Sequence, residues 1–248
     1  MILNFFLLFF TAVIAGSLVL IFPKYKERYF RLVLVFAGSY LFSITVIHLL
    51  PELFTSGYSA SEMGLWILLG FLLQQLLEFL SSGIEHGHIH MHGKSSGAVF
   101  TVMFGLCIHA FLEGTLLSHG ELMDHEDMVG HVHDSKTVLV GILMHKAPAA
   151  FALAAVLSSA LSRKVAAILL VVFALASPLG MLSSSYLFEL GMIKKEWIGI
   201  LYGLVAGGFL HISTTIFFES SPQHKVQWNK LFVSFMAAAL AVVSEFFF

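Results

Sequence analysis

Eight stretches of this chain, each close to the length of a bilayer crossing and nearly free of charge, decide what it can fold into. They run over 2–22, 32–54, 64–83, 97–117, 137–160, 165–187, 197–218 and 230–248. A hydrocarbon layer about 30 Å thick is crossed by roughly 20 helical residues, and each stretch meets that measure. The segments between them are short, polar and punctuated by Gly, Ser and Pro, as loops are. Only 11% of the residues are charged, against about 25% in a soluble domain, too few to cover a water-facing surface. The chain therefore reads as an all-α polytopic membrane protein, one transmembrane domain over 1–248 with eight transmembrane helices.

The first stretch is apolar from Ile2 to Phe22, lacks a basic leading segment and is followed by Lys24, Lys26, Arg28 and Arg31. Signal-peptide cores span roughly 7–15 residues, so this is expected to be a true spanning helix. Basic residues favour cytoplasmic loops. With the N-terminus outside, Lys24, Lys26, Arg28, Arg31, Lys94, Arg163, Lys164, Lys225 and Lys230 fall inside, and only Lys136, Lys194 and Lys195 fall outside. Both termini are then expected outside. Spans one to three and six to eight run in opposite senses about spans four and five, a 3+2+3 arrangement that suits an inverted repeat. Spans two, three, four, five and seven carry polar insertions and are expected to line the interior. Spans one, six and most of eight are free of charge. A lone cysteine, Cys107, permits no internal disulfide, and no basic tract offers a surface to nucleic acid.

The polar insertions carry the chemistry. His109 and Glu113 are spaced i, i+4 and share one face of span four, about 6 Å apart along the axis. Span five offers His145, with Pro148 three residues later releasing the Met144 carbonyl from its helical bond. Imidazole, imidazole and carboxylate can hold Zn²⁺, Fe²⁺ or Mn²⁺, and ionisable residues inside a membrane mark ion paths. Three protein ligands leave a coordination position open, as an ion that must depart requires. Lys146, directly after His145, either snorkels to the surface or stands as a fixed ammonium beside the carboxylate. Gly114 lets another helix approach closely.

These motifs, His109-Ala110-Phe111-Leu112-Glu113-Gly114 and His145-Lys146-Ala147-Pro148-Ala149-Ala150, resemble the helix-four and helix-five motifs of the ZIP (Zrt/Irt-like) metal transporters. The resemblance covers essentially the whole chain, and the run at 145–151 is most similar to the ninth vertebrate ZIP subgroup. It implies eight helices, both termini outside, a homodimer and elevator-like movement of the bundle holding helices four and five. It implies His109, Glu113 and His145 as ligands of the transported ion. Ala110 stands where many members have Asn, Lys146 where they have Glu or Asp, Ala149 where a bridging Glu is common, and Ser177 where some have Glu. Ligands peculiar to a second metal position are thus missing, which implies a mononuclear site with the Lys146 ammonium in place of a second cation.

Other polar groups remain open in meaning. His48 and Glu52, again i, i+4, are either an entrance site or a helix-terminal cap beside Pro51. His211 is either a pathway ligand or a hydrogen-bonding partner of Ser213, Thr214 or Thr215. Gln74, Gln75 and Glu78 form a polar seam or bond neighbouring helices. The inner loop 84–95, with His86, His88, His90 and His92, has the composition of a weak metal-capture segment. The outer loop 118–136, rich in His, Asp and Glu, would concentrate cations by electrostatics.

The reading is an importer of divalent metal, Zn²⁺ first and Fe²⁺ or Mn²⁺ behind it, working by alternating access at a midplane site. The metal is substrate, and no catalytic cofactor is expected. A cation-diffusion exporter is the first alternative; it usually has six spans and a soluble C-terminal domain, whereas this sequence stops at Phe248. An intramembrane metalloenzyme is the second, and no His-Glu-x-x-His motif supports it. Short loops and the lack of a targeting segment point to a bacterial inner membrane.

Overall fold

The computed structural model describes residues 1–22, 27–55, 58–81, 96–117, 135–193, 195–219 and 227–247. All regular structure among them is helical, and eight helices are long and apolar enough to cross a membrane. Without water, a spanning backbone must satisfy its own N–H and C=O groups, which the helix does. We number the spans α1 (Ile2–Ile21), α2 (27–55), α3 (Ala60–Ser81), α4 (Ser96–Leu116), α5 (Ser135–Ala160), α6 (Arg163–Glu189), α7 (Lys195–Glu219) and α8 (Trp228–Phe247).

Helix α2 is not uniform. It runs α-helical over Glu27–Ile44, widens to a π turn at Thr45–Leu49 and resumes at Leu50–Thr55. The Leu50 N–H reaches the Thr45 carbonyl, five residues back, and Pro51 follows with no N–H to give. Ser39, Ser43 and Thr45 turn their hydroxyls back onto the carbonyls of Val35, Ser39 and Leu41, which keeps them satisfied in lipid. Helix α3 starts at Ala60 rather than 64 because Ser59 and Glu62 make a capping box: the Glu62 N–H donates to the Ser59 hydroxyl, and the Ser59 N–H donates to the Glu62 carboxylate.

The apolar interior is divided along the helix axes. One cluster gathers Val19, Leu34, Val102, Leu106, Leu153, Leu157 and Leu170. The other gathers Leu8, Leu41, Leu53, Met63, Leu116, Ile142, Met181 and Ile198. Chain order between them reverses from α1 to α2, from α4 to α5 and from α5 to α6, so these neighbours run antiparallel. A small third cluster, Tyr40, Ile44, Ala237 and Ala241, joins α2 to α8.

Lipid removes the hydrophobic drive for helix association, so close packing between small residues takes its place. A Cβ built on Gly114 would collide with the Ser177 carbonyl, and one on Gly180 with the Phe111 carbonyl. Backbones of α4 and α6 are therefore in contact. Gly70 and Gly207 bring α3 and α7 together in the same manner.

Burial of α6 and α3 does not follow their polar content. Helix α6, without charge in its interior, is half buried, because Ala166, Ala174, Ser177, Gly180 and Ser184 give it a small-residue face. Helix α3, despite its polar insertions, lies mostly at the periphery and turns inward only Met63, Gly70, Gln74, Leu77 and Ser81. Width of the small face decides depth more than polar content does.

Candidate metal site

Between the two large clusters the interior turns polar. On α4, His109 and Glu113 follow Leu106 and precede Leu116; on α5, His145 and Lys146 lie between Ile142 and Ala150; on α6, Ser177 precedes Met181. All five side chains are buried. Local folding explains the grouping. The i, i+4 spacing aligns His109 with Glu113, and the Gly114–Ser177 contact draws α6 against the same turn of α4.

His109 Nε2 lies 2.9 Å from Glu113 Oε1. The His145 ring stands almost perpendicular to that of His109, with centroids 5.8 Å apart. One ligand atom from each of the three residues falls within 4.8 Å of the others, a spacing that one ion can bridge. Among the described residues, neither ring nitrogen of His145 has a hydrogen-bond partner. Leaving a buried polar group unsatisfied costs about 1–3 kcal/mol, and a metal ligated there would remove that cost. A small cavity beside the pair is lined by Gly70, Gln74, Leu77, His109, Glu113 and Gly208, so space adjoins the two side chains.

Lys146 is held, not snorkelled. Its ammonium donates to the Ser177 hydroxyl at 2.6 Å and sits 4.7 Å from the centre of the Phe173 ring. It is 1% exposed, and it interacts electrostatically with Glu113. Ala110 and Ala149 are buried and bring no ligand atom. Ser177, the remaining residue named for a second position, is engaged by Lys146.

Of the other polar groups singled out in the sequence, Gln74 lines the cavity beside His109 and Glu113, whereas His48 and His211 pair elsewhere. His48 contacts Glu245 of α8 through Nδ1 at 3.0 Å and faces Glu52 through Nε2 at 3.8 Å. His211 contacts Glu78 across the α3–α7 seam, with the Phe71 ring edge-on at 4.7 Å. Thr214 and Thr215 donate to the backbone carbonyl of His211, and Ser213 to that of Phe209. His86, His88, His90 and His92, and the outer loop over 118–134, lie outside the described residues. Glu245 escaped the sequence reading because it ends a span whose other charge, Lys230, lies at the opposite end, and its partner is 197 residues away.

Fold and site define a class: a polytopic membrane protein with a buried cluster of metal-ligating side chains. The sequence model of the ZIP zinc transporter family matches residues 85–244, which take in the trio. The chain belongs to that family. It is 31% identical over 168 residues to zinc transporter ZIP9-B of Xenopus laevis, covering 61% of this chain and 50% of the relative. Zinc transporter ZIP9 of Micropogonias undulatus is 30% identical over 164 residues, covering 61% and 49%. The chain spans about half the length of the curated relatives it matches.

Proposed function

We propose that this protein carries Zn²⁺ across a membrane, inward, with His109, Glu113 and His145 as the transport site at mid-membrane depth. The observation that carries the reading is the buried His109–Glu113–His145 cluster between two apolar layers, with His145 bare of hydrogen bonds among the described residues. An ion entering such a layer must shed water, and two imidazoles with one carboxylate replace part of its shell. Open positions left to water keep release accessible. Fe²⁺ and Mn²⁺ suit the same donors and rank behind zinc. Family membership favours a transporter over an enzyme.

The site is mononuclear on this reading. Lys146, held by Ser177, would take the place of a second cation, and its positive charge would oppose tight retention of the first. The 3+2+3 inverted repeat has support in the packing: α1 lies on α5 as α6 lies on α4, and α3 lies on α7 as α8 lies on α2. That pairing suits alternating exposure of a site between the halves. Basic-residue distribution supports both termini outside. Short connections, such as the two residues between α5 and α6, support a bacterial inner membrane. A second copy of the chain is the proposed protein partner.

Zinc uptake into proteoliposomes loaded with a fluorescent indicator tests the reading. Wild-type flux should fall at least tenfold in His145→Ala and in Glu113→Ala. Undiminished flux in both variants would overturn the assignment.

A further inference from the structure

On α3, a mostly peripheral helix, one amide turns inward. Gln75 is exposed, whereas Gln74, its neighbour, is 3% exposed. Taking an amide out of water costs free energy unless hydrogen bonds replace those it loses. The inward position therefore asks for polar partners.

Local packing fixes where this amide stands. Gly70, Gln74 and Glu78 follow at i, i+4 and i+8 and share one face of α3. One turn before Gln74, a Cβ built on Gly70 would collide with the Leu204 carbonyl of α7, so the two backbones touch there. One turn after it, Glu78 contacts His211 of α7. Gln74 is thus clamped at its depth, with its side-chain oxygen beside α7: a Cβ built on Gly208 would stand 3.9 Å from Oε1.

The cavity that Gln74 shares with His109 and Glu113 is the size of one water. It measures about 20 Å³, and a water needs roughly 10–15 Å³ of such space together with polar partners. Gln74, His109 and Glu113 supply those partners, and the rest of the lining is aliphatic or glycine. An ion held by His109, Glu113 and His145 leaves at least one position of a four-coordinate shell to water. Such a water has protons to donate, and the Gln74 carbonyl oxygen accepts. Being neutral, the amide holds it without adding negative charge that would trap a divalent ion.

We infer that Gln74 is the positioning residue for the water that completes the shell of the ion at His109, Glu113 and His145. The inference rests on the transport reading and adds a third helix to the site. Groups that orient the ligands of a metal in this way change its affinity about 10–100-fold when removed.

Zn²⁺ binding to the purified full-length chain, titrated against a competing dye, is the test. Gln74→Met, close to Gln in length but only a weak acceptor, should weaken binding about 10–100-fold. Gln74→Glu keeps an oxygen acceptor at the same reach and should bind at least as tightly as wild type. Equal weakening in the two variants would mean that the side chain only packs, and would overturn the inference. Unchanged affinity in Gln74→Met, with binding still abolished by His145→Ala, would overturn it too. Either result leaves the transport site standing. Zinc flux undiminished in His145→Ala and Glu113→Ala would instead remove the transport site, and this inference with it.

Discussion

Lys146 is the residue whose placement costs most. A lysine at the centre of a spanning helix costs about 2.5–3.5 kcal/mol on insertion scales, and here the charge is met by one hydroxyl and one aromatic face. Hydrogen bonds to charged groups contribute about 1.5–3 kcal/mol. Ser177→Ala should therefore destabilise the protein by about that much, read as a lowered unfolding temperature in detergent. Lys146→Met on top of Ser177→Ala should recover much of the loss, because no ammonium is then left without an acceptor. On the transport reading, Lys146→Met alone should bind Zn²⁺ about tenfold tighter, since a positive charge beside the ion is gone; dye-competition titration measures it. An unchanged affinity would mean that Lys146 only braces α5 against α6.

At the scale of elements, glycine position separates contact from open space. Gly114 and Gly180 each face a carbonyl of the partner helix, whereas a Cβ on Gly64 in α3 would meet nothing within 4 Å. Gly114→Val should part α4 from α6, cost at least 1–3 kcal/mol and abolish zinc flux. Gly64→Ala should be harmless or stabilise by up to about 1 kcal/mol through helix propensity. Thermal unfolding and size-exclusion profiles of the two variants check the contrast. The same elements show how far the sequence could be read. Span length and hydropathy disclosed eight helices, because those signals are local, and the i, i+4 pair and His145 were legible as residues of metal-ligating type that the fold brings together. Depth of burial was not legible: α6 is drawn inward by its small-residue face, and α3 stays mostly peripheral although Gln74 turns inward. The Lys146–Ser177 and His48–Glu245 contacts were hidden too, since each depends on which helices become neighbours.

For the whole molecule, the proposed orientation makes a clean expectation. With Cys107 replaced by Ala, a membrane-impermeant maleimide applied to intact cells should label Met192→Cys, in the exposed turn after α6. It should spare Lys164→Cys, at the start of α6 on the other side; both positions are exposed in the fold. The reverse pattern would invert the topology and with it the direction of import.

The buried ammonium also sets how the molecule answers to voltage. With both histidines neutral, Glu113 and Lys146 cancel, so on the transport reading the empty site crosses the field carrying no net charge and the loaded site carries the two charges of the ion. One elementary charge moved through 100 mV is worth about 2.3 kcal/mol. Each Zn²⁺ delivered into a negative interior would thus release about twice that per 100 mV. Lys146 leaves that total unchanged and decides where in the cycle it is felt: the loaded step takes all of it and the empty return none.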